Sequence, residues 1–236
     1  MKFEKDFVFG TATSSYQIEG AYDTDGRTMS IWDTFCRQPG KVFQAHNGDV
    51  ACDHYHRYKE DVQLIKELGV DSYRFSIAWP RIFPAQGTFD QRGMDFYKSL
   101  LKELKEAGIK TCATLYHWDL PQWLQDLGGW ENRQSVKEFE IFAEACFREL
   151  DDMVDLWITH NEPWCASFLS NMTGLHAPGK RSVTAAVKVA HHLLVSHGRA
   201  VRRYRDLGFK KPIGITLNLT PVYGATDSME DQLAAS

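Results

Sequence analysis

The sequence predicts a parallel α/β fold of the (β/α)8 barrel kind. Three observations carry that expectation. Short β-like runs alternate with longer helix-like runs along the chain. One helix-ending turn recurs before the β-like runs, as Glu67-Leu68-Gly69-Val70, Glu106-Ala107-Gly108-Ile109 and Asp206-Leu207-Gly208-Phe209. The connections leaving the β-like runs are long and crowded with polar and aromatic residues.

The first strand is expected at residues 8–13. A helix follows over residues 53–68, where Tyr55, Tyr58, Val62, Ile65 and Leu68 recur at spacings of three and four and so share one face. Residues 72–77 read as the second strand. The second helix spans residues 91–107, with Met94, Tyr97, Leu101 and Leu104 aligned. The third strand, residues 111–116, leads to a helix over 135–150 with Phe139, Phe142 and Cys146 on its face. Residues 156–160 form the fourth strand, 183–207 the fourth helix and 213–217 the fifth strand.

Glycine after the last helical turn takes a left-handed conformation without a Cβ clash. Such short helix-to-strand links imply successive βα units and a parallel sheet. The long connections cover residues 14–52, 78–90, 117–133 and 161–182. In a barrel, loops in these positions build the active face. A doubly wound nucleotide-binding sheet would alternate in the same way, but no GxGxxG follows the first strand and no GxxxxGK[ST] occurs. The barrel is the preferred reading.

Composition narrows the function. Hydrophobic residues make up 43% and charged residues 25%, which is ordinary globular usage. A net charge of -4 gives no electrostatic case for nucleic acid or an anionic membrane. No apolar run reaches the roughly 18 residues of a membrane span. The five cysteines are odd in number, scattered and without a CxxC pair, which fits free thiols rather than a disulfide framework or zinc site. The start of the chain carries no apolar signal core, so the cytoplasm is the expected location. His54, His56, His191, His192 and His197 lack metal-ligand spacing, and neither a metal nor another cofactor is expected. Aromatics make up 13%. Several stand among hydrogen-bonding groups, as in Tyr116-His117-Trp118-Asp119 and Asn161-Glu162-Pro163-Trp164. Sugar rings, with apolar faces and polar rims, suit such surroundings.

Thr159-His160-Asn161-Glu162-Pro163-Trp164 closes the fourth strand. Proline donates no hydrogen bond and is expected to push Glu162 toward extended geometry at the strand's C-terminal rim. Glycoside hydrolysis needs a carboxylic acid to protonate the leaving oxygen and a second carboxylate across the bond. Glu162 fits the first role. From spacing alone it fits a surface or salt-bridged glutamate equally well. Gln17 by itself is an ordinary loop glutamine, His117 a satisfied histidine, Arg74 half of an ion pair and Trp118 a core residue.

Five stretches change that balance. They are Phe9-Gly10-Thr11-Ala12-Thr13-Ser14-Ser15-Tyr16-Gln17-Ile18-Glu19-Gly20-Ala21, Ser30-Ile31-Trp32-Asp33, Tyr73-Arg74-Phe75-Ser76-Ile77-Ala78-Trp79-Pro80-Arg81-Ile82, Thr114-Leu115-Tyr116-His117-Trp118-Asp119-Leu120-Pro121 and Thr159-His160-Asn161-Glu162-Pro163. In these stretches and their order the chain resembles family 1 of the glycoside hydrolases, the bacterial β-glucosidase group. The resemblance implies a (β/α)8 TIM barrel and a retaining β-glucosidase acting on β-glucosides or short β-linked oligosaccharides, with no cofactor. It implies Glu162 as general acid/base and Asn161 as the contact to the sugar 2-hydroxyl. Gln17 and His117 would hold hydroxyls at the far side of the glycone, and Trp118 would line that subsite. Arg74 would lie beneath the nucleophile and keep it ionised. Asn218, ending the fifth strand, and Cys165 would face the leaving group.

The family's nucleophile is a glutamate in a Thr-Glu-Asn-Gly stretch on the seventh strand, and this sequence has no such stretch. About five strands and four helices are expected where the family closes its barrel with eight of each. Residues 1–236 therefore read as a single partial domain, the N-terminal half of a barrel, ending in a polar stretch with no completed helix. Alone it is expected to be inactive, and to pair with a C-terminal half or self-associate. A non-catalytic half-barrel module remains open, as does an enzyme using Glu19 or Asp119 as second carboxylate. The same family's 6-phospho-β-glucosidases and β-galactosidases remain alternatives for the substrate.

Overall fold

The computed structural model describes residues 2–235. Five parallel strands form one sheet, ordered β1 (Gly10–Ala12), β2 (Ser72–Ser76), β3 (Lys110–Tyr116), β4 (Leu156–Asn161) and β5 (Ile213–Thr216). The spatial order equals the chain order. A doubly wound sheet reverses its strand order at a switch point. No reversal occurs here, and the arrangement is half of a barrel.

The helices are α1 (Ser15–Ile18), α2 (Ile31–Cys36), α3 (His54–Glu67), α4 (Trp79–Ile82), α5 (Gln91–Glu106), α6 (Gln122–Asp126), α7 (Gln134–Leu150), α8 (Val183–Asp206) and α9 (Met229–Ala235). A nine-residue π-helix, Cys165–Thr173, follows β4. Helix starts are chemically marked. Ser30 and Asp33 form a capping box on α2, the Asp90 side chain accepts from Arg92 N at α5, and that of Ser182 accepts from Ala185 N at α8. Glycines 69, 108 and 208, each at positive φ, end the long helices α3, α5 and α8.

The core lies between the sheet and its long helices. Residues 111–116 of β3 are all buried, as a central parallel strand covered on both faces should be. The stripe Met94, Tyr97, Leu101 and Leu104 of α5 is fully buried, and so are Phe139, Phe142 and Cys146 of α7. Trp79 stacks on Phe142 with ring centroids 4.9 Å apart. The five cysteines are unpaired, with Cys52 exposed and the others buried. No helix among the described residues is long and apolar enough to cross a membrane.

Several expectations need correction. The first strand is shorter than residues 8–13, because its register with β2 begins at Gly10 opposite Ser72 and ends at Ala12 opposite Arg74, and Val8 and Phe9 are exposed. Leu68 does not share the buried face of α3; it caps that helix and is 67% exposed. The long connections are not bare loops, since α1, α2, α4, α6 and the π-helix lie in them. The polar terminal stretch contains the helix α9. These short helices carry too few turns for an apolar period to emerge.

Candidate active site

Residues from β2, β3 and β4 meet at one end of the sheet. Arg74, inside β2, donates from Nε to Thr114 Oγ1 at 3.0 Å and from Nη2 to Asn161 Oδ1 at 2.6 Å. With Oδ1 engaged, the Asn161 amide keeps its NH2 group as a free donor. Burial pulls the Arg74 guanidinium below its ordinary value, opposed by Cys112 and Glu162. Its Nη1 has no hydrogen-bond partner among the described residues.

Glu162 follows Asn161 and is not extended as expected; its φ is +48°. A residue before proline is steered away from the right-handed helical region. The turn then leaves Glu162 left-handed, because its N–H donates to Thr216 O at 2.8 Å while its carbonyl accepts from Ala166 N at 3.1 Å. A non-glycine residue held at positive φ costs on the order of 1–3 kcal/mol, and such strain gathers at functional sites. Trp118, at the end of β3, is a second case with φ +78°. Its indole Nε1 donates to Asn161 O at 2.9 Å, which links the two strained positions. A π-helix beginning at Cys165 adds a third irregularity, again of the kind found at functional sites.

Gln17, His117 and Trp118 line one cavity of about 340 Å³, beside Tyr16, Trp32 and Gly48. Gln17 lies on α1, beyond β1, and is exposed. Burial, helped by the charge of Arg74, pushes His117 down to about 4, so its imidazole is neutral at neutral pH. Its Nδ1 is buried without a partner. Cys165 packs under Glu162, and burial together with that carboxylate raises its thiol to about 11. The structure therefore brings together Arg74, His117, Trp118, Asn161, Glu162 and Cys165, with Gln17 on the cavity that His117 and Trp118 line. It does not bring Asn218 with them. Strand β5 ends at Thr216, and Asn218 is exposed in the segment after it.

The two other carboxylates considered are committed elsewhere. Glu19, 4% exposed, accepts from Tyr97 at 2.6 Å and pairs with Arg81 at 3.3 Å. Asp119, 1% exposed, accepts from Ser15 Oγ at 2.6 Å, and its second oxygen is unpartnered. Burial raises Asp119 to about 6 from an ordinary 3.8. A carboxyl whose folded value is raised is tolerated while protonated and costs stability once ionised. That penalty grows as pH rises from about 4 to about 6, and reaches on the order of 3 kcal/mol. Asp119→Asn is expected to remove it. In urea unfolding the stability of the variant relative to wild type should rise between pH 4 and 7. A gap independent of pH would contradict this.

The sequence reading missed His176. It lies beyond the π-helix, between Trp118 and Trp32, at ring-centroid distances of 5.1 and 5.5 Å. No periodic pattern or motif marked it. Among the described residues no group of three or more His, Cys, Asp or Glu could hold a metal ion.

Comparison with known proteins bears on the family and the fold. The family model described as Glycosyl hydrolase family 1 matches residues 1–236. The chain is 52% identical to β-glucosidase A of Acetivibrio thermocellus, over 99% of this chain and 52% of that protein. It is 49% identical to a β-glucosidase of Agrobacterium sp., over 99% of this chain and 51% of that one. Among solved structures, the family 1 β-glucosidase of Exiguobacterium antarcticum superposes with a TM-score of 0.95 at 63% identity, covering 100% of this chain and 53% of that chain. The virulence factor SghA of Agrobacterium tumefaciens, solved with its substrate analog salicin, superposes with a TM-score of 0.94 at 50% identity, covering 99% of this chain and 52% of that chain. The chain thus spans about half the length of the curated relatives it matches.

Proposed function

The chain belongs to glycosyl hydrolase family 1, and from that premise we propose that it is the acid/base half of a retaining β-glucosidase. The observation that carries this reading is Glu162, held left-handed at the end of β4 beside the Arg74–Asn161 pair. The substrate class is a β-glucoside or short β-linked glucan, as the names of the relatives suggest.

In the first step Glu162 protonates the glycosidic oxygen while a carboxylate from the C-terminal part attacks the anomeric carbon. The aglycone leaves with the proton, and the sugar is held as a glycosyl ester. In the second step Glu162, now ionised, takes a proton from water, which attacks the anomeric carbon and releases the carboxylate. The free NH2 of Asn161 donates to the 2-hydroxyl, a contact that strengthens as charge develops on the ring. Arg74 uses its unengaged Nη1 to keep the attacking carboxylate ionised. Gln17 and neutral His117 grip hydroxyls over the Trp118 ring. Cys165 and Asn218 serve the leaving-group side, Asn218 by a movement of the segment after β5.

Both outer strands have an open edge among the described residues, since β1 pairs only with β2 and β5 only with β4. Exposed apolar side chains lie in the segments next to these strands, Phe3, Phe7 and Phe9 before β1 and Leu217, Leu219 and Tyr223 after β5. Unpaired edges beside apolar surface recruit partners. The chain is expected to bind a C-terminal half or itself, and light scattering after gel filtration should show species above 27.0 kDa. A monodisperse monomer at high concentration would contradict this. Its unpaired thiols fit a reducing, cytoplasmic setting. The hydrolase reading itself is tested by nitrophenyl β-glucoside turnover once a relative's C-terminal half is supplied.

A further inference from the structure

We propose that His176 is a positioning residue of this site: its imidazole braces the Trp118 ring and, as a neutral group with its proton on Nε2, keeps positive charge away from Glu162. The proposal rests on the acid role assigned to Glu162 above.

The backbone around His176 is fixed. Gly174 closes the π-helix at φ +71°, where a Cβ would lie 3.0 Å from the carbonyl oxygens of Gly179 and Lys180, so any side chain there is strained. The next two amides, of Leu175 and His176, both donate to Leu169 O, at 3.0 and 3.2 Å. The ring is thereby delivered between Trp32 of α2 and Trp118, two indoles that make up its walls. Trp118 is the strained residue whose Nε1 holds the Asn161 carbonyl, so movement of the His176 ring is transmitted to the residue preceding Glu162.

The tautomer follows from burial. Nδ1 is enclosed and has no hydrogen-bond partner. An enclosed N–H without an acceptor costs more than an enclosed lone pair, so the proton belongs on Nε2. The charge state follows from the surroundings. Burial between the indoles disfavours the imidazolium, while the negative charge of Glu162 favours it. The remaining titratable groups on the packed elements are committed. On α2, Asp33 is tied to Arg27 at 2.9 Å and burial keeps the Cys36 thiol protonated. After β3, neutral His117 meets Trp118 edge-on at 5.3 Å and Asp119 is bonded to Ser15. After β4, Cys165 keeps its proton against Glu162. Among the described residues, Glu162 is thus the charge that His176 reads. Reciprocally, an imidazolium at position 176 would favour the ionised carboxylate, which has no proton to give.

The test uses the 236-residue chain, labelled with 15N and titrated by NMR. The expected result is the Nε2–H tautomer, with a midpoint below 6.5 that falls further in Glu162→Gln. An Nδ1–H tautomer, or a midpoint unmoved by Glu162→Gln, would overturn the proposal. With a relative's C-terminal half supplied, His176→Phe keeps a neutral ring. It should lose the part of the acid-side decline that His176 causes. His176→Ala removes the brace and should raise KM more than it lowers kcat. A His176→Phe profile identical to wild type at low pH would also overturn the proposal. If the joined protein is inactive with any residue at 176, the hydrolase reading fails, and the titration of the chain alone still decides the role of His176.

Discussion

Purified alone, the 236-residue chain is expected to release no nitrophenol from a nitrophenyl β-glucoside above the uncatalysed rate. Retaining hydrolysis needs two carboxylates about 5–5.5 Å apart across the scissile bond. In the proposed mechanism Glu162 supplies one. The other carboxylates considered, Glu19 and Asp119, are buried and hydrogen-bonded away from the cavity. Without a nucleophile no glycosyl ester forms, even with a leaving group that needs no proton. Mixing or fusing the chain with a relative's C-terminal half should restore turnover from background to a rate set by the joined site. Turnover by the chain alone that is abolished by Glu162→Gln would show a second carboxylate within this sequence and end the half-site account.

In the restored enzyme, Glu162→Gln is expected to lower kcat/KM about 10²–10⁴-fold for alkyl glucosides, the range that general acid–base catalysis contributes. The amide has nearly the shape of the acid and should preserve the left-handed turn, whose hydrogen bonds to Thr216 and Ala166 are made by backbone atoms. The loss is therefore chemical rather than structural. The cost should be much smaller for the glycosylation step with dinitrophenyl glucosides, because a good leaving group departs without help. The second step still needs a base, so the glycosyl ester should accumulate and a burst should precede a slow steady state. An equal loss for both substrate classes would argue that Glu162 is structural.

The fold was largely legible because its periodic elements are long. The apolar stripe Met94, Tyr97, Leu101 and Leu104 and the trio Phe139, Phe142 and Cys146 are fully buried where the spacing put them. The glycine-ended turns marked where helices stop, and strand limits fell within one residue, or within two at β1. What the pattern could not carry was irregular backbone. A π-helix differs from an α-helix by one residue in hydrogen-bond step, which side-chain periodicity over nine residues does not resolve. The left-handed turn at Glu162 went unseen because Pro163 argues locally for an extended residue, and the constraint comes from Thr216, far along the chain. His176 sits in a short non-periodic segment and gains its neighbours only through tertiary packing. The candidate residues were legible as a set of motifs, whereas Asn218 belongs to none of them and lies exposed in the segment after β5.

The most direct test of Glu162 as the proton donor is the dependence of kcat/KM on leaving-group pKa for a series of aryl β-glucosides, measured on the restored enzyme and on its Glu162→Gln variant. Proton donation offsets the charge that builds on the departing oxygen, so the wild-type slope should be shallow. Without a donor the full charge is felt, and the variant should follow a steep negative slope that meets the wild-type line at the best leaving groups. Two parallel lines, displaced by a constant factor across the series, would contradict the assignment.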